Sequence, residues 1–148
     1  MPPDTAQRPT LWRPELATGV PEIDAQHREL LARIGALYAA ARRGDASQTP
    51  DALAYLERYA QEHFALEERF MRALGYPAVD EHAELHAAFA DTLARRKEEF
   101  AEHRSESALL VDLLCWMDEW LQDHVRDADA AMAGFLRDAP GFAAVRTT

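Results

Sequence analysis

The chain has 148 residues, of which 48% are hydrophobic and 28% are charged, a balance typical of one globular domain rather than of a disordered chain. Its 26 acidic and 16 basic residues give a net charge of −10, which argues against nucleic acid as a partner. No apolar run is long enough to cross a membrane, no secretion signal opens the chain, and the single cysteine, Cys115, cannot form an intrachain disulfide. We therefore expect one cytoplasmic domain that is monomeric and does not associate with a membrane.

Four stretches of good helix formers alternate with short breaks that contain glycine or proline. Within each stretch, apolar residues recur at every third or fourth position, which predicts one buried helix face, and no stretch alternates like a strand. Four long helices with short connections predict an all-α, up-down-up-down antiparallel four-helix bundle. We place the bundle at about residues 19–137, between an extended N-terminal arm (1–18) anchored by Trp12 and a C-terminal tail (138–148).

Polar side chains interrupt the apolar face of every predicted helix. Five of the six histidines lie there: His27, His63, His82, His86 and His124. A single buried histidine is more often a core residue with a hydrogen-bond partner, but two pairs, His63 with Glu67 and His82 with His86, are each spaced by four residues. That spacing puts both members on one helix face, one turn apart. Since burying so many polar groups without partners is costly, we predict a metal site. His103 lies in a charged stretch and is predicted to be a solvated bystander.

The order of these residues resembles that of the bacterial hemerythrins. The resemblance runs from about Trp12 to Leu136 and rests on five motifs: Thr18-Gly19-Val20, Ile23-Asp24-x-Gln26-His27-x-x-Leu30, His63-x-x-x-Glu67, His82-x-x-x-His86 and His124-x-x-x-x-Asp129. It implies a four-helix bundle that holds a non-haem di-iron centre and binds oxygen reversibly.

The resemblance also implies a set of iron ligands. Carried over by position, they are His82, His86 and His124 on one iron, His27 and His63 on the other, and Glu67 and Asp129 as bridges. An oxo or hydroxo group would complete the bridge between the irons. If both irons are octahedral, one coordination position then stays open. That position is on the iron with two histidines, and oxygen would bind there. Asp129 follows His124 by five residues, about 140° round an ideal helix, so a π-type turn is needed to align the two.

An apolar pocket beside the open position is a further implication of the resemblance. The matching positions are Leu30, Phe64, Trp120, Leu121 and Val125, all of which also suit an ordinary core. Asp24 is either a partner of a metal ligand or a helix-start residue, and we favour the second. Cys115 lies about 180° from His124 on the fourth helix and is expected to face outward.

The function that we expect is reversible oxygen binding, as a carrier, a store or a supply to an oxygen-consuming partner enzyme, and not catalysis. The alternatives are a stand-alone oxygen or redox sensor that acts through a partner, a di-iron enzyme that reduces peroxide or nitric oxide, and iron storage. Ferritin-like di-iron proteins use Glu-x-x-His motifs, and this sequence contains none.

Overall fold

The protein is described here by a computed structural model that covers residues 12–45, 49–102 and 107–146. Its helices are α1 (Pro21–Arg42), α2 (Thr49–Leu74), α3 (Val79–Glu102), α4 (Ser107–His124), α5 (Ala130–Asp138) and α6 (Phe142–Arg146). A π-helical turn, Val125–Asp129, joins α4 to α5, and a short 3-10 turn, Pro14–Leu16, precedes α1. These ranges contain no strand. Because α1 and α3 each pack against both α2 and α4, the predicted all-α four-helix bundle is confirmed.

Local sequence signals set the ends of these helices. Pro21 occupies the first position of α1, where its missing N–H has no intrahelical partner to lose. Gly44 and Gly75 follow α1 and α2 with φ of 76° and 71°, backbone that glycine adopts without strain. Backbone hydrogen bonds from Asp45 to Ala40 (3.0 Å) and from Tyr76 to Met71 (2.9 Å) then close each end as a Schellman motif.

The buried apolar residues form two separate clusters. The large core lies toward one end of the bundle and includes Leu30, Ile34, Leu56, Phe64, Phe89, Leu113, Met117 and Leu121. The small core comprises Val20, Ile23, Phe70, Met71, Met132, Ala133, Leu136 and Phe142. On α1, α2 and the segment from α4 to α5, residues of the large core and of the small core lie on opposite sides of His27, Glu67 and Asp129 along the chain. On α3, His82 and His86 lie between Val79, which packs against the small core, and Phe89 of the large core. The predicted ligands therefore form a polar layer across the bundle.

Both ends of the chain differ from the predictions. The described part of the N-terminal arm is not simply extended, because Pro14–Leu16 forms a 3-10 turn that buries Leu16. Trp12 does pack against the large core, with the Arg28 guanidinium 4.1 Å from its ring centroid, and residues 1–11 lie outside the described ranges. The predicted tail contains α6, because Phe142 has the small core to cover. Among the described residues, no helix is both long and apolar enough to cross a membrane.

Candidate metal centre

The five histidines and two carboxylates predicted from the sequence converge in the middle of the bundle. None of the seven is more than 5% exposed. Their ligand atoms form two overlapping groups, each within 4.8 Å: Glu67, His82, His86, His124 and Asp129 in one, and His27, His63, Glu67 and Asp129 in the other. We call these the three-histidine group and the two-histidine group. They share both carboxylates.

Glu67 directs one oxygen toward each group. Its Oε1 lies 3.1 Å from His86 Nε2 and 3.7 Å from His82 Nε2, on the side of the three-histidine group. Its Oε2 lies 3.4 Å from His63 Nε2, on the other side. The carboxylate therefore spans the two groups.

Asp129 spans them in the same way. Its Oδ1 lies 3.1 Å from both His82 Nε2 and His124 Nε2, while its Oδ2 lies 3.1 Å from His27 Nε2. The π-helical turn makes this possible, because its wider turn returns Asp129 to the face that carries His124. The predicted π-type turn is thus present where the five-residue spacing requires it.

Two of the imidazoles are oriented by side chains behind them. His86 Nδ1 lies 2.9 Å from Glu68 Oε2, and His63 Nδ1 lies 2.6 Å from Gln26 Oε1. Burial, together with the neighbouring histidines, lowers the pKa of His86 to about 3 and lowers the pKa of His63 well below 6.5. Both rings are therefore neutral at pH 7. Since Nδ1 is the donor to an oxygen in each, the lone pair of Nε2 faces the cluster.

The two carboxylates of the cluster have pKa values shifted in opposite directions, and the oxygens of both are buried. Burial and the charge of Asp129 raise the pKa of Glu67 well above its ordinary value. Burial also acts to raise the pKa of Asp129, but the contacts with His124, His27 and His82 outweigh it and hold that pKa well below its ordinary value. The four carboxylate oxygens and His82 Nε2 are buried without a hydrogen-bond partner among the described residues. Unpaired groups of this kind are rare in proteins and costly.

The spacing of the ligand atoms fits metal coordination. Two atoms at right angles around one metal ion, each about 2.1 Å from it, lie about 3.0 Å apart. The Nε2 atoms of His27 and His63 are 3.0 Å apart, and those of His86 and His124 are 3.1 Å apart. Neutral imidazoles and carboxylates are suitable donors for iron and zinc. The residues present therefore fit a bound metal.

Four of the five predicted pocket residues line one small apolar cavity beside the cluster. They are Leu30, Phe64, Trp120 and Leu121, and the rest of the wall is Ile34, Ala60, Phe89 and Met117. The cavity has room for about one molecule the size of water. Phe64 stacks on His86, with ring centroids 3.9 Å apart, and Trp120 stacks on His124 at 4.5 Å. Val125 is buried at the start of the π-helical turn but does not line the cavity.

The remaining residues singled out in the sequence lie away from the cluster or outside the described ranges. Asp24 accepts hydrogen bonds from Thr18 N (2.8 Å), Thr18 Oγ1 (2.8 Å) and Gly19 N (3.2 Å), as expected of a helix-start residue. Cys115 is half-buried, and burial raises the pKa of its thiol. His103 lies outside the described residues.

Sequence reasoning missed the roles of Gln26 and Glu68. Each is next to a predicted ligand in the sequence, and each pairs with a histidine of another helix. The available signals were that each is a polar residue adjacent to a predicted ligand and that Gln26 is part of the motif that contains His27.

Comparison with known proteins gives a consistent assignment. Residues 18–136 match the family described as the hemerythrin HHE cation binding domain. A bacteriohemerythrin of Stenotrophomonas maltophilia is 28% identical over 123 residues, which is 83% of this chain and 78% of that protein. A bacteriohemerythrin of Pseudomonas aeruginosa is 28% identical over 86% of this chain and 81% of its own length. A myohemerythrin of Riftia pachyptila is 29% identical, over 86% of this chain and 94% of its own length.

The family match covers the whole bundle and all seven residues of the cluster. It supports a non-haem iron protein that binds oxygen, and the cluster is the place in the described residues where a metal can be held. By this match, the chain belongs to the hemerythrin family.

Proposed function

We propose that this protein binds dioxygen reversibly at a di-iron centre, as an oxygen carrier, store or supplier. The observation that carries the proposal is the division of seven buried ligands into two unequal groups that share both carboxylates. Two metal positions bridged by Glu67 and Asp129 account for all seven. A site that stores many iron ions would not need seven buried ligands arranged in two defined groups.

In this proposal the three-histidine group holds one iron and the two-histidine group holds the other. When bound, a pair of irons would supply the redox chemistry of dioxygen uptake, and Glu67 and Asp129 would be shared between the two irons. The smaller number of imidazoles in the two-histidine group leaves room for a ligand that the protein does not provide. An open position distinguishes a reactive site from a purely structural one.

The residues that line the apolar cavity have two roles in this proposal. Their aliphatic and aromatic side chains offer water few hydrogen-bond partners, so they disfavour solvent beside the centre. Phe64 and Trp120 also hold the rings of His86 and His124 in place by stacking on them. The chain's own contribution is therefore to orient the imidazoles, to bridge the metals with carboxylates and to exclude water.

The test is an anaerobic oxygen titration of the iron-loaded protein, followed by visible absorption. We expect two irons per chain, one dioxygen per two irons, and recovery of the deoxygenated spectrum under vacuum. Steady turnover with peroxide or nitric oxide and a reductant, without reversible uptake, would indicate an enzyme instead. Many irons per chain would indicate storage, and either outcome would refute the proposal.

A further inference from the structure

Two histidines, one from each group, have hydrogen-bond partners on Nδ1 that differ chemically. In the three-histidine group, His86 Nδ1 donates to the carboxylate of Glu68 over 2.9 Å. In the two-histidine group, His63 Nδ1 donates to the amide oxygen of Gln26 over 2.6 Å. Both acceptors belong to the bundle's own helices, but one carries a negative charge and the other is neutral.

The charge of the acceptor changes what the imidazole offers a metal. A carboxylate draws the Nδ1 proton toward itself, which leaves more electron density on Nε2 and makes the ring a stronger donor. A neutral amide orients the ring equally well but polarises it less. A stronger, more anionic donor binds a cation more tightly and favours the higher oxidation state of iron.

The helix geometry gives Glu68 this position. Glu67 and Glu68 are consecutive on α2, so their side chains leave the helix about 100° apart. Glu67 is fully buried between the two groups, whereas the Glu68 side chain is 29% exposed and reaches His86 on α3 from behind. One turn of α2 thus supplies both a carboxylate inside the cluster and a carboxylate outside it.

We propose that Glu68 is a positioning residue that makes the three-histidine group the tighter metal site, and that Gln26 keeps the two-histidine group the weaker one. The inference rests on the proposed di-iron function and deepens it. The group with fewer histidines is also the one in which His63 has a neutral partner. The two groups therefore differ in the charge behind them as well as in their number of histidines.

The test is a pair of nearly isosteric substitutions that change the charge and keep an oxygen acceptor. Glu68→Gln removes the negative charge behind His86, and Gln26→Glu adds one behind His63. Glu62→Gln, at an exposed position on the same helix, is the matched control for loss of one charge. The readout is a Co²⁺ titration of the metal-free protein, followed by visible absorption, so no oxygen activity is involved.

We expect wild-type protein to fill two sites in order, the three-histidine site first. Glu68→Gln should weaken the first site about 10–100-fold and leave the second unchanged, which is the usual effect of removing such an outer partner. Gln26→Glu should tighten the second site, and Glu62→Gln should match the wild type.

Each alternative outcome has a distinct meaning. If Glu68→Gln behaves like Glu62→Gln, or weakens both sites equally, the role of Glu68 is refuted. If Gln26→Glu does not tighten the second site, the role of Gln26 is refuted. Wild-type protein that binds fewer than two Co²⁺ ions would refute the proposed two-metal site itself, a failure that is visible before any variant is examined.

Discussion

Replacing Leu121 with alanine tests whether the apolar cavity protects the oxygen-binding centre. Leu121 is 5% exposed and lines the cavity between the large core and the polar layer. The substitution removes three carbons, which costs about 2.4 kcal/mol of transfer free energy at about 0.8 kcal/mol per carbon. The void left behind adds to this, so we expect the free energy of unfolding to fall by about 3–4 kcal/mol, within the usual range of about 2–5 kcal/mol.

The same void should admit water to the centre and speed the irreversible oxidation of the oxygenated protein. The assay is the first-order decay of the oxygenated spectrum in air, with iron content measured in parallel and expected to stay at two. Leu136→Ala is the matched control, because Leu136 is 0% exposed and belongs to the small core. It should lower stability by a similar amount without changing the decay. A decay rate that is unchanged in Leu121→Ala, or raised equally in both variants, would refute the protective role of the cavity.

Four further outcomes are expected. Removing the metal should lower the melting temperature, because it leaves the buried carboxylates unpaired, and melts with and without a chelator measure this. His27→Ala should lose iron from the two-histidine group and abolish oxygen uptake, whereas His103→Ala should change neither iron content nor uptake. Asp24→Ala should lower the free energy of unfolding in urea by about 2–4 kcal/mol, through the loss of three hydrogen bonds, with metal stoichiometry unchanged. The hydrogen bond from Arg146 lowers the pKa of Glu22 below its ordinary 4.5, so this pair stabilises the fold above that pH and loses its effect as the pH falls through the lowered pKa. Arg146→Ala should therefore lower the free energy of unfolding slightly in urea denaturation at pH 7, and by less as the pH falls through the lowered pKa of Glu22.

The parts of the structure that were predictable from sequence are those that depend on periodicity. Helix periodicity assigns each residue a face, so His63 and Glu67, or His82 and His86, had to point the same way once a helix was predicted. The five-residue step from His124 to Asp129 conflicts with an α-helix, and the π-helical turn resolves that conflict locally. Both are short-range properties of one segment.

The contacts that the sequence did not predict join residues that lie in different helices. Gln26 lies 37 residues before His63, and Glu68 lies 18 residues before His86, so no helical spacing connects the members of either pair. Similarly, the residues next to Phe142 in the sequence do not indicate that Phe142 packs against the small core. Contacts of this kind follow from how the helices pack and not from the pattern within any one of them.

The polar layer between the two cores has a consequence for how the protein unfolds. Two apolar clusters with separate memberships can lose their packing independently, as distinct cooperative units. Ligands from all four long helical segments meet between them, so a bound metal pair would join the two units into one. Amide hydrogen exchange should then show a single high-protection class in the iron-loaded protein. In the metal-free protein it should show two classes, with the small core, which has fewer buried residues, opening first.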